Sequence, residues 1–323
     1  MFNKKSSRHS LALFVALALG SGTLLTASTA GAADVSGQNV AIDDAHAPSD
    51  NAEHPGGGPA FGTAAGFIGN VSDSGNVTNN TLTFNGRTGV YGKSLFGGFT
   101  FGTGTVEGNR VFVNPTTTPL TSSVDGNISG GVSNGGGNVK NNHAVFDGNY
   151  LYSRKLIGGM AQGSGAGIVQ GNTATLKGGS AHANIYGGMA VGGANGDVIG
   201  NTATIEGGTI TGAGKIYGGY TDGTGKVTGN TVTIKGGIIN GAYGGYSEGS
   251  GEVSGNIVNL GDGTDALAAG TQIDGILHGG NSTIANGNDG NTLNVKANAE
   301  AKNIKNFEKL HFHLNGSVEN TRA

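Results

Sequence analysis

The sequence predicts an all-β fold, a single-stranded parallel β-helix (a solenoid) of about eight coils with a repeat of about 29–30 residues. Three observations predict it. An asparagine recurs at positions 80, 109, 142, 172, 201, 230, 256 and 291, with successive differences of 29, 33, 30, 29, 29, 26 and 35. Two and four residues after it every position is apolar, from Leu82 and Phe84 through Ala203 and Ile205 to Leu293 and Val295. Finally, an apolar residue, one variable residue and Gly-Gly follow in the first seven copies, the apolar member being Leu95, Ile128, Leu156, Ile185, Ile216, Ala242 or Leu277.

The residues between the paired apolar positions are mostly threonine, as in Thr202 and Thr204 or Thr231 and Thr233. This alternation with a period of two describes a strand with one buried and one wet face. Valine stands three residues before the asparagine in seven of the eight copies (Val77, Val106, Val139, Val169, Val198, Val227, Val253). One copy is too small to bury its apolar face, whereas stacked copies share a continuous core. Asn80, Asn109, Asn142, Asn172, Asn201, Asn230, Asn256 and Asn291 are therefore expected at equivalent turns, about 4.8 Å apart, as a structural ladder. Glycine and asparagine both suit the positive φ that sharp turns require.

Composition narrows the function classes. Among 323 residues there are 66 glycines, no tryptophan, no cysteine and 12% charged side chains. The glycine has no three-residue register, which excludes collagen. All five prolines lie before residue 120, consistent with later ladders in which every N–H is used. No basic face is evident, so no nucleic-acid partner is expected.

Residues 1–33 are expected to be an export signal. Lys4, Lys5 and Arg8 precede the apolar run Leu11 to Leu19, and Ala30-Gly31-Ala32 follows as a cleavage motif. Removing those three positive charges takes the formal net charge from −3 to −6. Residues 34–66, rich in Asp, Ala, Gly and Pro, read as a flexible leader. Repeats span 67–295. The segment 296–323 breaks style and is expected to cap the array before a short tail.

Two insertions, 114–127 and 261–275, are expected to protrude, because the core path does not lengthen with them. They supply the candidate ligand contacts Thr116, Thr117 and Thr118, and Asp262, Asp265 and Asp274. A tyrosine row (Tyr186, Tyr217, Tyr220, Tyr243, Tyr246) is expected to stack along the coils. No catalytic constellation, cofactor motif or metal-ligand spacing is present, and His311 and His313 lack a partner cluster.

The signal segment, the cysteine-free Gly/Asn/Thr-rich repeat V-x-G-N-T-V-T-I-x-G-G with its following I-Y-G-G-Y, and the closing Asn303–Leu314 resemble the passenger regions of Gram-negative autotransporters. The resemblance covers essentially residues 1–315. It implies export to the outer membrane or beyond it and an adhesin-like stalk, with a ligand on a host cell, a bacterial surface, matrix or glycan. The family's C-terminal membrane barrel has no counterpart after Leu314, so the expectation is a truncated product, a separate translocator barrel or a released chain. Two other functions fit such a scaffold: a polysaccharide-active enzyme, for which the scattered carboxylates are poorly placed, and an ice-binding threonine array, which Arg110, His143 and Ile257 interrupt.

Overall fold

In the structure, a computed structural model, residues 34–43, 67–68, 71–72, 74–85, 94–113, 126–148, 150–151, 155–263, 267–282 and 288–313 are described. The described residues form strands, turns and bends without helix, and every strand pairing among them is parallel. The chain winds through three sheets, here numbered I to III. One representative turn runs Val198–Ile199 in sheet I, Thr202–Ile205 in sheet II, then Thr209–Ile210 and Ile216–Thr221 in sheet III. Sheet I has nine strands, sheet II ten and sheet III thirteen. The eight anchor asparagines bound seven turns between Asn80 and Asn291, in keeping with the expected coils of about 29–30 residues.

The register makes like residues stack. In sheet II, Ala144, Ala174, Ala203, Val232 and Val258 succeed one another, as do Phe146, Leu176, Ile205, Ile234 and Leu260. These columns face Leu95, Ile128, Leu156, Ile185, Ile216, Ala242 and Leu277 of sheet III in one buried cluster. The seven valines of sheet I form a second cluster with Ala161, Ala190 and Ala194, and each valine is wholly buried. A fully buried aliphatic side chain contributes about 1.5–3 kcal/mol, so stacking turns a glycine-laden chain into a packed one.

The asparagines form the expected ladder inside the solenoid, and seven of the eight are completely buried. Asn172 shows the pattern. Its backbone N–H and its Nδ2 both donate to Asn201 Oδ1, at 3.0 and 2.9 Å, and Nδ2 also donates to the Val139 carbonyl at 2.9 Å. The same bonds recur from Asn109 to Asn256, so these buried amides are satisfied. Gln38 N–H donates to Asn80 Oδ1 at one end, and at the other Glu308 Oε2 accepts from Asn291 N–H at 2.6 Å.

The positive φ belongs to the residue before each anchor and not to the anchor. Asn79 (56°), Asn141 (53°) and six glycines, among them Gly200 (61°), fill that position in all eight copies. The Gly-Gly pairs that follow the core apolar residue of sheet III are not in this region, whereas Gly179, Gly208 and Gly237, each the second glycine of a pair after sheet II, are. A Cβ on Gly188 would lie 2.3 Å from Asn201 Cγ, and one on Gly187 would lie 2.5 Å from the Gly218 carbonyl oxygen. Close approach to the ladder and to the next backbone, rather than turn geometry, requires glycine there.

Three boundaries differ from expectation. Within the stretch read as a leader, Val35–Ser36 and Asn39–Asp43 are strands that pair with Val77–Thr78 and Thr81–Asn85 and add a further coil. The 261–275 insertion does not wholly protrude, since Gln272 and Ile273 pair with Ile238 and Ile239 in sheet III, with a bulge following. In the segment read as a cap, Asn303–Lys305 and Lys309–Phe312 extend sheets III and II by one strand each. The alternation of apolar residues in these stretches is short, and the glycine and proline around it conceal it.

Candidate ligand-contact face

Along each sheet III strand the residue next to the core apolar position points the opposite way. Aligned by register, these outward residues are Phe96, Ser129, Ile157, Tyr186, Tyr217, Tyr243 and His278. A parallel column after the Gly-Gly reads Phe99, Val132, Met160, Met189, Tyr220 and Tyr246. Apart from Ser129, Tyr243 and His278, they build an apolar cluster separate from the core.

In the first column the rings stack face to face. Tyr186 and Tyr217 are 4.9 Å apart at 7°, Tyr217 and Tyr243 5.2 Å at 10°, and Tyr243 and His278 4.4 Å at 11°. Tyr220 and Tyr246 stack at 5.7 Å and 1°, and they meet the first column edge to face. Lys155 Nζ lies 5.7 Å over the Tyr186 ring. The expected tyrosine row is thus two columns. Their faces are used on one another, and Tyr186 and Tyr220 are buried with the Phe, Ile, Val and Met members, so the half-buried Tyr217, Tyr243, Tyr246 and His278 supply what solvent reaches.

Polar groups border this face. Asn184 Nδ2 donates to the Tyr186 hydroxyl at 3.0 Å, and Lys215 Nζ donates to the Asn240 carbonyl at 2.7 Å. Asp222 Oδ2 accepts from Gly192 N–H at 2.9 Å. Burial pushes the Tyr186 phenol up to about 12. Tyr217, Tyr220 and Tyr243 are raised as well, by burial first; for Tyr220 its hydrogen bond to Glu248 and that carboxylate's charge add to the effect. These four hydroxyls therefore stay neutral at physiological pH, able both to donate and to accept. Burial lowers Lys155, against the attraction of Asp222 and Glu248. His278 is lowered to about 4, by burial first and then by Lys305 and Lys215. Its Nδ1 is buried without a hydrogen-bond partner.

Sequence reasoning missed His278 and the Phe and Met members of these columns. The signal was present: the variable residue before each Gly-Gly and the residue after it can be read as columns once the repeats are aligned.

The insertion residues are not brought together as a site. Thr116, Thr117, Thr118 and Asp265 lie outside the described residues. Asp262 Oδ2 pairs with Lys235 Nζ at 3.2 Å, and Asp274 Oδ1 with Lys302 Nζ at 3.8 Å. The two carboxylates pair with different lysines, Lys235 also lying 4.0 Å from Glu206 Oε1, and the pairs are solvent-accessible, where such contacts contribute little. On the outer face of sheet II the threonine columns run Thr173, Thr202, Thr231 and Thr175, Thr204, Thr233, with Arg110 and His143 above the first and Ile257 below it. His143 Nδ1 is bonded to Thr173 Oγ1, and His311 Nδ1 lies 3.1 Å from Asn294 Oδ1. Among the described residues no group of three or more His, Asp or Glu side chains is placed to hold a metal ion.

No protein-family model matches this chain, and neither a curated protein nor a solved structure matches it.

Proposed function

We propose that this chain is an exported, adhesin-like solenoid of the autotransporter-passenger type, a rigid stalk that presents a tyrosine-lined face to a ligand on a host or bacterial surface. The observation that carries the reading is the pair of aromatic columns on sheet III. They lie outside the core cluster, are aligned by the register of successive turns, and are bordered by Lys155, Asn184, Asp222 and Glu248. Aromatic edges with neutral hydroxyls beside isolated charges suit the hydroxyl-rich surface of a glycan. The expected export signal, the cysteine-free repeat and the parallel solenoid architecture support the passenger assignment. Neither a cofactor nor a nucleic-acid partner enters this reading, and it assigns the chain no catalysis.

The test is binding of the purified chain to a panel of glycans and to host and bacterial cells. Binding is expected, and it should fall at least about tenfold when Tyr217 and Tyr243 are both replaced by Ala, the loss set by about 1.4 kcal/mol of contact energy. Retained binding in that variant but loss on deleting 114–127 would move the contact to the insertion. Absence of binding throughout the panel overturns the adhesin reading.

A further inference from the structure

We propose that Tyr217 and Tyr243 form an oxidative cross-linking site, at which a haem peroxidase acting with hydrogen peroxide joins two successive coils through a dityrosine bond. The chain has neither cysteine nor tryptophan. Disulfides therefore cannot link its coils, and tyrosine is left as the aromatic group that yields an electron most readily. Five of the eight tyrosines lie in the two columns on sheet III, each ring within 5.7 Å of another. A hole formed on one ring can pass to its neighbours, and the place where it rests decides the product.

The contacts single out one pair. Tyr186 and Tyr217 stack at 4.9 Å, but Tyr186 is buried, its hydroxyl is held by Asn184 Nδ2, and Lys155 Nζ lies 5.7 Å over its ring. A cation there opposes the positive charge of a hole on that ring. Tyr220 and Tyr246 are further apart at 5.7 Å, and Tyr220 is buried with its hydroxyl hydrogen-bonded to Glu248. Tyr217 and Tyr243 stack at 5.2 Å and 10°, and both are half-buried, so oxidant and water reach the two together. Tyr246 meets both of them edge to face and offers a parallel ring to neither. Beyond Tyr243 the column continues as His278, which has no phenol to couple.

Register supplies the geometry. Tyr217 and Tyr243 are partners on adjacent parallel strands, so their side chains leave the backbone in the same direction, about 4.8 Å apart. Like atoms of the two rings then lie opposite each other, the carbons ortho to the hydroxyls included. Dityrosine is the bond between two such carbons. Each phenol gives up one electron and its hydroxyl proton and becomes a phenoxyl radical. The two unpaired electrons form one carbon–carbon bond, and the hydrogen on each bonded carbon moves to its oxygen, which restores both aromatic phenols. Two hydrogens leave in all, and one hydrogen peroxide takes them up as it is reduced to two waters. The bond closes a loop of one coil, and such closure stabilises a fold by restricting its unfolded chain, as a disulfide does.

Treating the purified chain with a haem peroxidase and one equivalent of hydrogen peroxide, at a dilution that suppresses contact between molecules, tests this. Dityrosine fluorescence and a mass lower by two hydrogens are expected, without dimers on a denaturing gel. Trypsin should release the peptide that follows Lys215, which holds Tyr217, joined to the peptide that follows Lys235, which holds Tyr243. Tyr217→Phe and Tyr243→Phe keep the rings stacked and should each abolish the joined peptide, whereas Tyr220→Phe and Tyr246→Phe should leave it. Circular dichroism checks that all four variants fold. The cross-linked chain should melt roughly 5–10 °C above the untreated one. No joined peptide, one that persists in Tyr217→Phe or vanishes in Tyr220→Phe, or coupling only between molecules overturns the site. So does oxygen gained at Met160 and Met189 in place of the link. An unchanged melting temperature in the linked chain overturns its stabilising role.

Discussion

Gly188 lies against Asn201 so closely that a Cβ would fall 2.3 Å from the Asn201 Cγ. The neighbour is a ladder amide held by hydrogen bonds on both sides and cannot yield. Gly188→Ala should therefore destabilise the fold by about 3 kcal/mol, at the upper end of overpacking costs. Gly200, on the other side of Asn201, has φ of 61° and open space where a Cβ would be. Gly200→Ala should cost only about 1–2 kcal/mol, the penalty of the left-handed region. Gly200→Asn should cost less still, since Asn79 and Asn141 fill the equivalent position in other turns. Denaturant unfolding of the three variants should rank them in that order.

Removing a rung should be worse than crowding one is mild. In Asn201→Ala, the Asn172 N–H and Nδ2 lose their acceptor, and the Val169 carbonyl and Asn230 Oδ1 lose a donor. Buried polar groups left without partners cost about 1–3 kcal/mol each, so a loss of at least ~3 kcal/mol is expected. Amide exchange should accelerate first at Asn172, whose N–H loses its acceptor, while the N–H of residue 201 keeps Asn230 Oδ1. A variant whose midpoint is unchanged would show that the ladder only decorates a solenoid held by its apolar columns.

The parallel solenoid, its repeat and its inward columns were legible in the sequence, because one buried face leaves a period-two record in every copy. Ile205 and Ile234, for example, are found where the alternation places them, wholly buried. The role of Gly-Gly was not legible. A glycine required by a neighbour's bulk looks the same in sequence as one required by its own φ, and only the ladder next to Gly188 distinguishes them. The strand Asn39–Asp43 escaped notice because it stands alone, without the Gly-Gly signature that identifies later copies. Of the candidate contact face, the tyrosines were visible but their two-column arrangement with His278 was not, since that depends on register across copies of unequal length.

Acid should weaken the fold through His278. Its folded-state value, lowered to about 4 by burial and by Lys305 and Lys215, lies below the ordinary histidine value of 6.5. The unfolded chain therefore takes up a proton first as pH falls. The stability linked to this group is fully present above pH 6.5 and is lost as pH falls through that value towards about 4. His143, lowered by burial and by Arg110 and Lys177, acts in the same direction. Melting temperatures measured from pH 7 to about 4 should fall more steeply for the wild-type chain than for His278→Gln, which keeps a planar polar group without the titration. Parallel curves would show that this ring is hydrated and uncoupled from folding.

The tyrosine columns should announce themselves by refusing to ionise. Burial raises Tyr186 to about 12 and raises Tyr217, Tyr220 and Tyr243 as well, against an ordinary value of 10. A phenol with a raised folded-state value favours unfolding as pH climbs, because the unfolded chain releases its proton first. Ultraviolet titration of the native protein should show only part of its tyrosine absorbance change near pH 10, with the rest appearing as the solenoid opens at higher pH. Tyr217→Ala removes the ring between Tyr186 and Tyr243 and lets solvent reach both. In that variant the remaining phenols should titrate earlier. The apparent midpoint of the late phase should then drop while circular dichroism at neutral pH stays that of a β-solenoid.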